Sequence, residues 1–234
     1  MIRQSPAKIF LADQRAMNET RSFRSFQLLD SKTGYDPGKQ HFGELVSFND
    51  TLLAPGQSLQ VSPAHAGTLI LLPLYGAVEW KTECSEPLLL AASQVLNIQV
   101  QDGKTFHLKN PFKDTVVNYL DIRLDNQSDA KTDHTLVEMD LNTFMNVMVQ
   151  VLAGDQLSGE YWRISLGKFS GRGETVYERR DPENGIFVFV IEGAFEVEGR
   201  LLHSRDGLAL WDTDTAEIEA LSNDAILLIL ENRF

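Results

Sequence analysis

Hydrophobic positions along this chain come in short runs separated by turn residues, and few of the runs have helical spacing. Val, Ile, Leu and aromatic residues concentrate at 44–48, 68–74, 77–81, 94–100, 116–124, 161–169, 186–191, 195–198 and 225–230. Between them stand Ala54-Pro55-Gly56, Asp102-Gly103, Glu183-Asn184-Gly185 and Asp206-Gly207, which are turn chemistry of known kinds. Many short strands with this punctuation predict a sandwich or barrel and not alternating βα units. Pro73 interrupts one apolar run, which calls for a bulge or an edge at that point.

One segment carries both periods. After Asp140, apolar residues fall at Leu141, Phe144, Met145 and Met148, the spacing of a helix that Asp140 would cap. Val147, Val149 and Val151 alternate with their neighbours as a strand does. We expect a short helical turn and then a strand from about Val147. The polar stretch 125–133 reads as a linker, which divides the chain into a first unit over 1–125, a connection with the helical turn over 126–146, and a second unit over 147–234. The two halves echo one another: Gly76-Ala77-Val78-Glu79-Trp80 returns half a chain length later as Gly193-Ala194-Phe195-Glu196-Val197. Each copy sits between two strands, as a corner glycine would, which points to a duplicated architecture.

Charge narrows the function classes. Against 21 basic residues stand 33 acidic ones, a net charge of −12. The acidic residues are scattered, and the balance argues against direct binding to nucleic acid or anionic lipid, both of which need a concentrated basic surface. Cys84 is the only cysteine, so no disulfide forms within the chain, which suits a reducing compartment. The first residues lack the apolar core of a secretory signal, and the apolar run 69–74 is too short to cross a bilayer. A cytoplasmic location is expected.

The order and spacing of several motifs carry a resemblance. Ser25-Phe26, Tyr35-Asp36-Pro37, His41-Phe42-Gly43-Glu44-Leu45, Asn49-Asp50 and Ala54-Pro55-Gly56 come first. Gly171-Arg172-Gly173-Glu174, Phe189-Val190-Ile191-Glu192-Gly193 and Gly207 follow in the second half. Together they resemble the pirin family over most of the chain, more faintly at 83–92 and 126–160. The resemblance implies an all-β bicupin: two cupin-like, jelly-roll type β-barrels packed face to face, with at most a few short helices. It also implies an iron-type metal in the N-terminal barrel, held by three histidines and a glutamate. Some metal-holding relatives open quercetin with dioxygen, and other members act as regulators through protein partners.

This sequence departs from that pattern at the ligands. The family frame of a glycine, five residues and His-x-His starts here at Gly56 but places Ser62 and Ala64 at the two histidine positions. Matching the second motif at Asn110 puts Phe106 and Leu108 at the remaining histidine and glutamate positions. A first-row metal needs imidazole, carboxylate or thiolate donors. Alanine, phenylalanine and leucine supply none, and a neutral hydroxyl is a poor ligand. The expectation is therefore no cofactor, with Ser62, Ala64, Phe106 and Leu108 lining a cup that takes an unknown small molecule, or a surface that meets a protein partner. The alternative is an atypical site for iron or another first-row divalent metal built on His65 and His107, serving a dioxygenase of the quercetin 2,3-dioxygenase type. Each of those histidines lies one residue past a ligand position, and one step along a strand turns a side chain to the opposite face unless a bulge near Pro63 or Gly67 intervenes.

No nucleophile elbow, phosphate loop or zinc-protease helix is present. Residues 170–174 read as a turn between strands, and Glu192 and Glu196 as solvent-facing. Tyr75, Trp80, Tyr177 and Trp211 are candidates for pocket lining or for packing. Exposed strand edges leave dimerisation open.

Overall fold

The computed structural model describes residues 5–30, 41–63, 66–83, 85–101, 103–126 and 134–234. Every apolar run named above is a strand, and the rest of the chain supplies further, shorter ones. Helical structure among the described residues is confined to two single 3-10 turns, Ala12–Gln14 and Gln156–Ser158.

The chain forms two compact units, each built of two sheets. In the first unit a seven-stranded sheet runs in the order His134–Glu138, Gln94–Val100, Gly67–Tyr75, Val117–Leu124, Leu45–Leu53, Phe23–Asp30 and Ala16–Glu19. Its four-stranded partner runs Ser58–Val61, Phe106–Lys109, Ala77–Thr82 and Leu88–Ala91. One apolar cluster is shared by both sheets: Leu69, Leu96 and Tyr119 come from the larger, and Val78, Trp80 and Leu108 from the smaller.

The second unit repeats the plan. Its larger sheet is ordered Ala7–Phe10, Gly207–Leu210, Asn184–Glu192, Ala225–Arg233, Arg163–Phe169 and Val149–Ala153. Its smaller sheet is ordered Glu174–Glu178, Thr215–Ala220, Ala194–Val197 and Arg200–His203. A second cluster, including Phe169, Val188, Phe195 and Ile218, fills the space between them. The sheets are open and paired, not closed into barrels as the sequence reading had it.

Three local expectations meet the structure directly. Gly76 and Gly193 each join a long strand to its partner in the other sheet with φ of +79° and +82°, the left-handed region that favours glycine. At Gly193 a Cβ would also lie 2.3 Å from Ser222 Oγ, so the corner admits no side chain. Opposite Pro73 the register of the neighbouring strand slips: Tyr119 pairs with Pro73 while Asn118 pairs with Tyr75, leaving Leu74 over as a bulge.

Two others are corrected. Residues 141–148 form turns and not a helix. The Asp140 carboxylate accepts hydrogen bonds from Asn142 N at 2.9 Å and Thr143 Oγ1 at 3.1 Å, a local arrangement that competes with helix, and the strand starts at Val149. The division at 125 also differs from the observed packing. Ala7–Phe10 hydrogen-bonds to Gly207–Leu210, and Phe42 packs its ring on Phe187 and Phe234, so both belong to the unit that contains the C-terminal half. Within the expected connection 126–146, His134–Glu138 is an edge strand of the first unit, while 127–133, Tyr35-Asp36-Pro37 and Cys84 lie outside the described residues.

Candidate functional site

The strand Phe106–Lys109 lies between Ser58–Val61 and Ala77–Thr82, so its side chains alternate between the unit's interior and its outer surface. Phe106 and Leu108 point inward and are 3% and 2% exposed, both within the apolar cluster. His107, between them, is half-buried, and its backbone neighbours across the sheet are Gln60 and Lys81, both exposed. It therefore lies on the face opposite Phe106 and Leu108, as strand alternation requires. Ser62 follows Val61, the residue directly across from Phe106, and is exposed. Ala64 and His65 lie outside the described residues.

These side chains do not fit a pirin-type metal. Phe106 and Leu108 present only carbon to the interior, and Ser62 presents a hydroxyl to solvent. Among the described residues no group of three or more histidines, cysteines, aspartates or glutamates could hold a metal ion.

What the first unit does contain is a cavity of about 400 Å³. Its apolar lining is Trp80 and Phe106 from the smaller sheet and Ile98 and Val100 from the larger, and the half-buried Thr82 and Ser85 line it beside them. The four apolar residues are at most 6% exposed. Alternation along Gln94–Val100 explains the last two, because Leu96, Ile98 and Val100 share the inward face. The mouth is polar, with Gln99, Lys104, Thr105 and His134 around it. His134 reaches it because it pairs with Ile98 across the sheet, and its ring lies 5.1 Å from that of Trp80. An apolar interior with a polar mouth is the usual make-up of a small-molecule pocket.

Of the candidates for pocket lining, Trp80 and Phe106 take that role. Tyr75 is 62% exposed, Trp211 stacks on Phe234 with centroids 5.7 Å apart, and Tyr177 is buried in the second unit with its hydroxyl donating to Glu231. Ile98, Val100 and His134 were not singled out from the sequence. The alternation of 94–100 carried the signal for the first two, but nothing local to His134 did.

A row of polar side chains runs across the larger sheet of the same unit, in register on the face that carries Tyr119 and Leu53. Asn49 Nδ2 donates to Asp121 Oδ1 at 2.7 Å, and Thr51 Oγ1 donates to Asp121 Oδ2 at 3.0 Å. Ser25 Oγ lies 3.0 Å from Thr51 Oγ1. Removal from water pushes the Asp121 carboxyl up to about 6, outweighing the two hydrogen bonds and the Arg123 guanidinium that favour its charge. Burial likewise keeps the Tyr119 phenol protonated, raising it well above its ordinary value.

The two stacked-sheet units, each with the strand order of a jelly roll, define the chain as a bicupin. Residues 161–231 match the family model of the quercetinase C-terminal cupin domain, and the chain as a whole has the fold of the bacterial pirins. It aligns with the crystal structure of YhhW from Escherichia coli at 20% identity and a TM-score of 0.81, covering 97% of both chains. Bacterial pirin YhhW in complex with nickel(II) aligns at 17% identity and a TM-score of 0.82, over 97% of this chain and 99% of that one. Quercetin 2,3-dioxygenase from Acinetobacter baumannii aligns at 14% identity and a TM-score of 0.67, over 97% of this chain and 79% of the other. Likeness at such identities concerns the fold. No curated protein matches the sequence at a significant level. No helix among the described residues is long and apolar enough to span a membrane.

Proposed function

We propose that this pirin-like bicupin works without metal-dependent catalysis and binds a small organic molecule in the cavity of its first unit. The observation that carries this reading is the replacement of donor chemistry by hydrocarbon: Phe106 stands at a position where the resemblance calls for a histidine, and its ring is part of the cavity wall. An aromatic ring at that point removes a metal ligand and adds apolar surface in one substitution. The competing reading is a dioxygenase with an atypical metal site on His65 and His107. It requires His107 to act from the face opposite Phe106 and Leu108, which counts in favour of the metal-free reading.

Filling the cavity tests the proposal. Ile98→Phe, and separately Thr105→Trp at the mouth, should each weaken binding of an apolar aromatic probe such as naphthalene by about tenfold or more while leaving the unfolding midpoint near that of the wild type. Equilibrium dialysis reads the affinity. Unchanged affinity in both variants would place binding elsewhere and end the proposal.

A further inference from the structure

The segment that leads into the strand Val149–Ala153 has its polarity turned outward. Its polar side chains hold it to the sheet. Asn142 Oδ1 accepts from Lys168 Nζ at 3.0 Å, and Asn146 Oδ1 accepts from Ser170 N at 2.9 Å and Ser170 Oγ at 3.1 Å. Asn146 N donates to Lys168 O at 2.9 Å, and Asp140 closes the turn ahead of them. Gly167 lets the segment lie close, since a Cβ there would stand 2.7 Å from Val147 O. The apolar side chains face water instead. Phe144 is 56% exposed, and Met145 and Val147 are 41% exposed each. A fastened backbone that presents large apolar groups to solvent has the build of a contact surface, because little order remains to be imposed on binding.

The strand that follows is open on its outer side. Val149–Ala153 ends its six-stranded sheet and pairs, among the described residues, with Arg163–Phe169 alone. The other three outer edges of the two larger sheets each carry a charge, at Lys8, Glu19 and Glu138. Such charges keep an edge from taking on a further strand. Val149–Ala153 has neither charge nor proline, and no residue from Leu141 to Gly154 is charged. A bulge at Val151 is its one protective feature.

We infer that a second copy of this chain covers this surface, pairing Val149–Ala153 with its own counterpart about a two-fold axis. The inference stands apart from the cavity, which lies in the other unit. Charge is what selects the occupant. At a net charge of −12 two copies repel one another over most of their surface, so they meet most readily where neither is charged. A two-fold axis also sets this strand against itself, and Val, Gln, Leu and Ala meet there with no like charges opposed. A partner of different chemistry would be steered in by opposite charge, and this stretch offers none. Three apolar side chains and a five-residue edge fall well short of the roughly 20–30 residues a side of a standard interface, so the dimer dissociates in the micromolar range.

Sedimentation equilibrium on the whole chain tests this. Between about 5 and about 200 µM the wild type should rise from near 26.3 kDa toward twice that mass. Phe144→Glu and Val147→Glu alter exposed side chains and should each raise the dissociation constant about tenfold or more. Leu201→Glu, at an exposed position on another sheet, should leave it unchanged. A wild type that stays monomeric throughout overturns the inference. So does association that both segment variants leave intact, or that Leu201→Glu weakens equally. Amide hydrogen exchange adds a reading without substitution: residues 141–153 should exchange more slowly as the wild type is concentrated, while Ala7–Phe10 keeps its rate. Exchange over 141–153 that ignores concentration would sink the inference even if neither segment variant folded.

Discussion

Replacing Glu231 with alanine is expected to destabilise the unit that contains it by about 3–5 kcal/mol, the largest effect of a single substitution foreseen here. Glu231 is wholly buried on the strand Ala225–Arg233, and its carboxylate gathers the corner that precedes Asn184–Glu192. Tyr177 Oη donates to Oε2 at 3.0 Å, Asn184 Nδ2 to Oε1 at 2.9 Å, and Asp181 N to Oε1 at 3.1 Å. Arg180 N shares itself between both oxygens at 3.2 Å, and Arg163 Nε stands 3.7 Å from Oε2. Alanine would strand all of these donors, and the Arg163 charge would lose its counter-ion in a nearly closed site. Glu231→Gln keeps one acceptor oxygen but turns an amide N–H toward other donors, for a smaller loss of about 1–2 kcal/mol. Urea unfolding followed by tryptophan emission measures both. A loss under about 1 kcal/mol for the alanine variant would show that the corner is held by something other than this carboxylate.

The second large effect is a pH dependence with a definite sign. In the folded chain Asp121 titrates at about 6, above its ordinary value of 3.8. Between those two values the folded state holds a proton that the unfolded chain has released, so the wild type loses stability as pH rises through that window. The full shift corresponds to about 3 kcal/mol, and because Asp121 keeps some contact with solvent we expect about 2 kcal/mol. Asp121→Asn should remove this contribution and flatten the curve between pH 4 and 6 (roughly the window named above). The hydrogen bonds survive the exchange. Asn49 can still donate to the new amide's oxygen, while the Thr51 hydroxyl accepts from the amide nitrogen and turns its proton toward Ser25, whose 3.0 Å contact with Thr51 runs in either direction. Unfolding midpoints in urea at pH 4.5, 5.5 and 7 for both proteins decide the matter. Parallel curves would mean that Asp121 is not the group that titrates.

What the sequence made legible follows from contrast between faces. Strands with one buried and one wet side, such as Gln94–Val100, announce themselves through alternation, and fully buried ones such as Asn184–Glu192 through unbroken apolar runs. Pro73, Gly76 and Gly193 were readable because each residue type restricts the backbone by itself. Edge strands were not. Ala16–Glu19 is exposed at every position and His134–Glu138 at nearly every one, so neither shows a pattern. The pairing of Ala7–Phe10 with Gly207–Leu210 joins residues from opposite ends of the chain, with no local mark of the partner.

The candidate site divides along the same line. That Phe106 and Leu108 face inward and His107 outward followed from counting along a strand. The cavity did not, because it needs Ile98, Trp80 and His134 brought together from three strands. The turn after Asp140 failed for a related reason. Apolar spacing alone favoured a helix there, whereas the Asp140 side chain closes a tighter local loop.

Under the proposed function, the first unit's interior takes an organic molecule and not a transition metal. Purified protein is incubated anaerobically with excess Fe(II), and in parallel with Ni(II), then desalted and its metal content measured by elemental mass spectrometry. Far less than one metal per chain is expected, with no change in His65→Ala or His107→Ala. Close to one metal per chain, lost when either histidine is replaced, would contradict it.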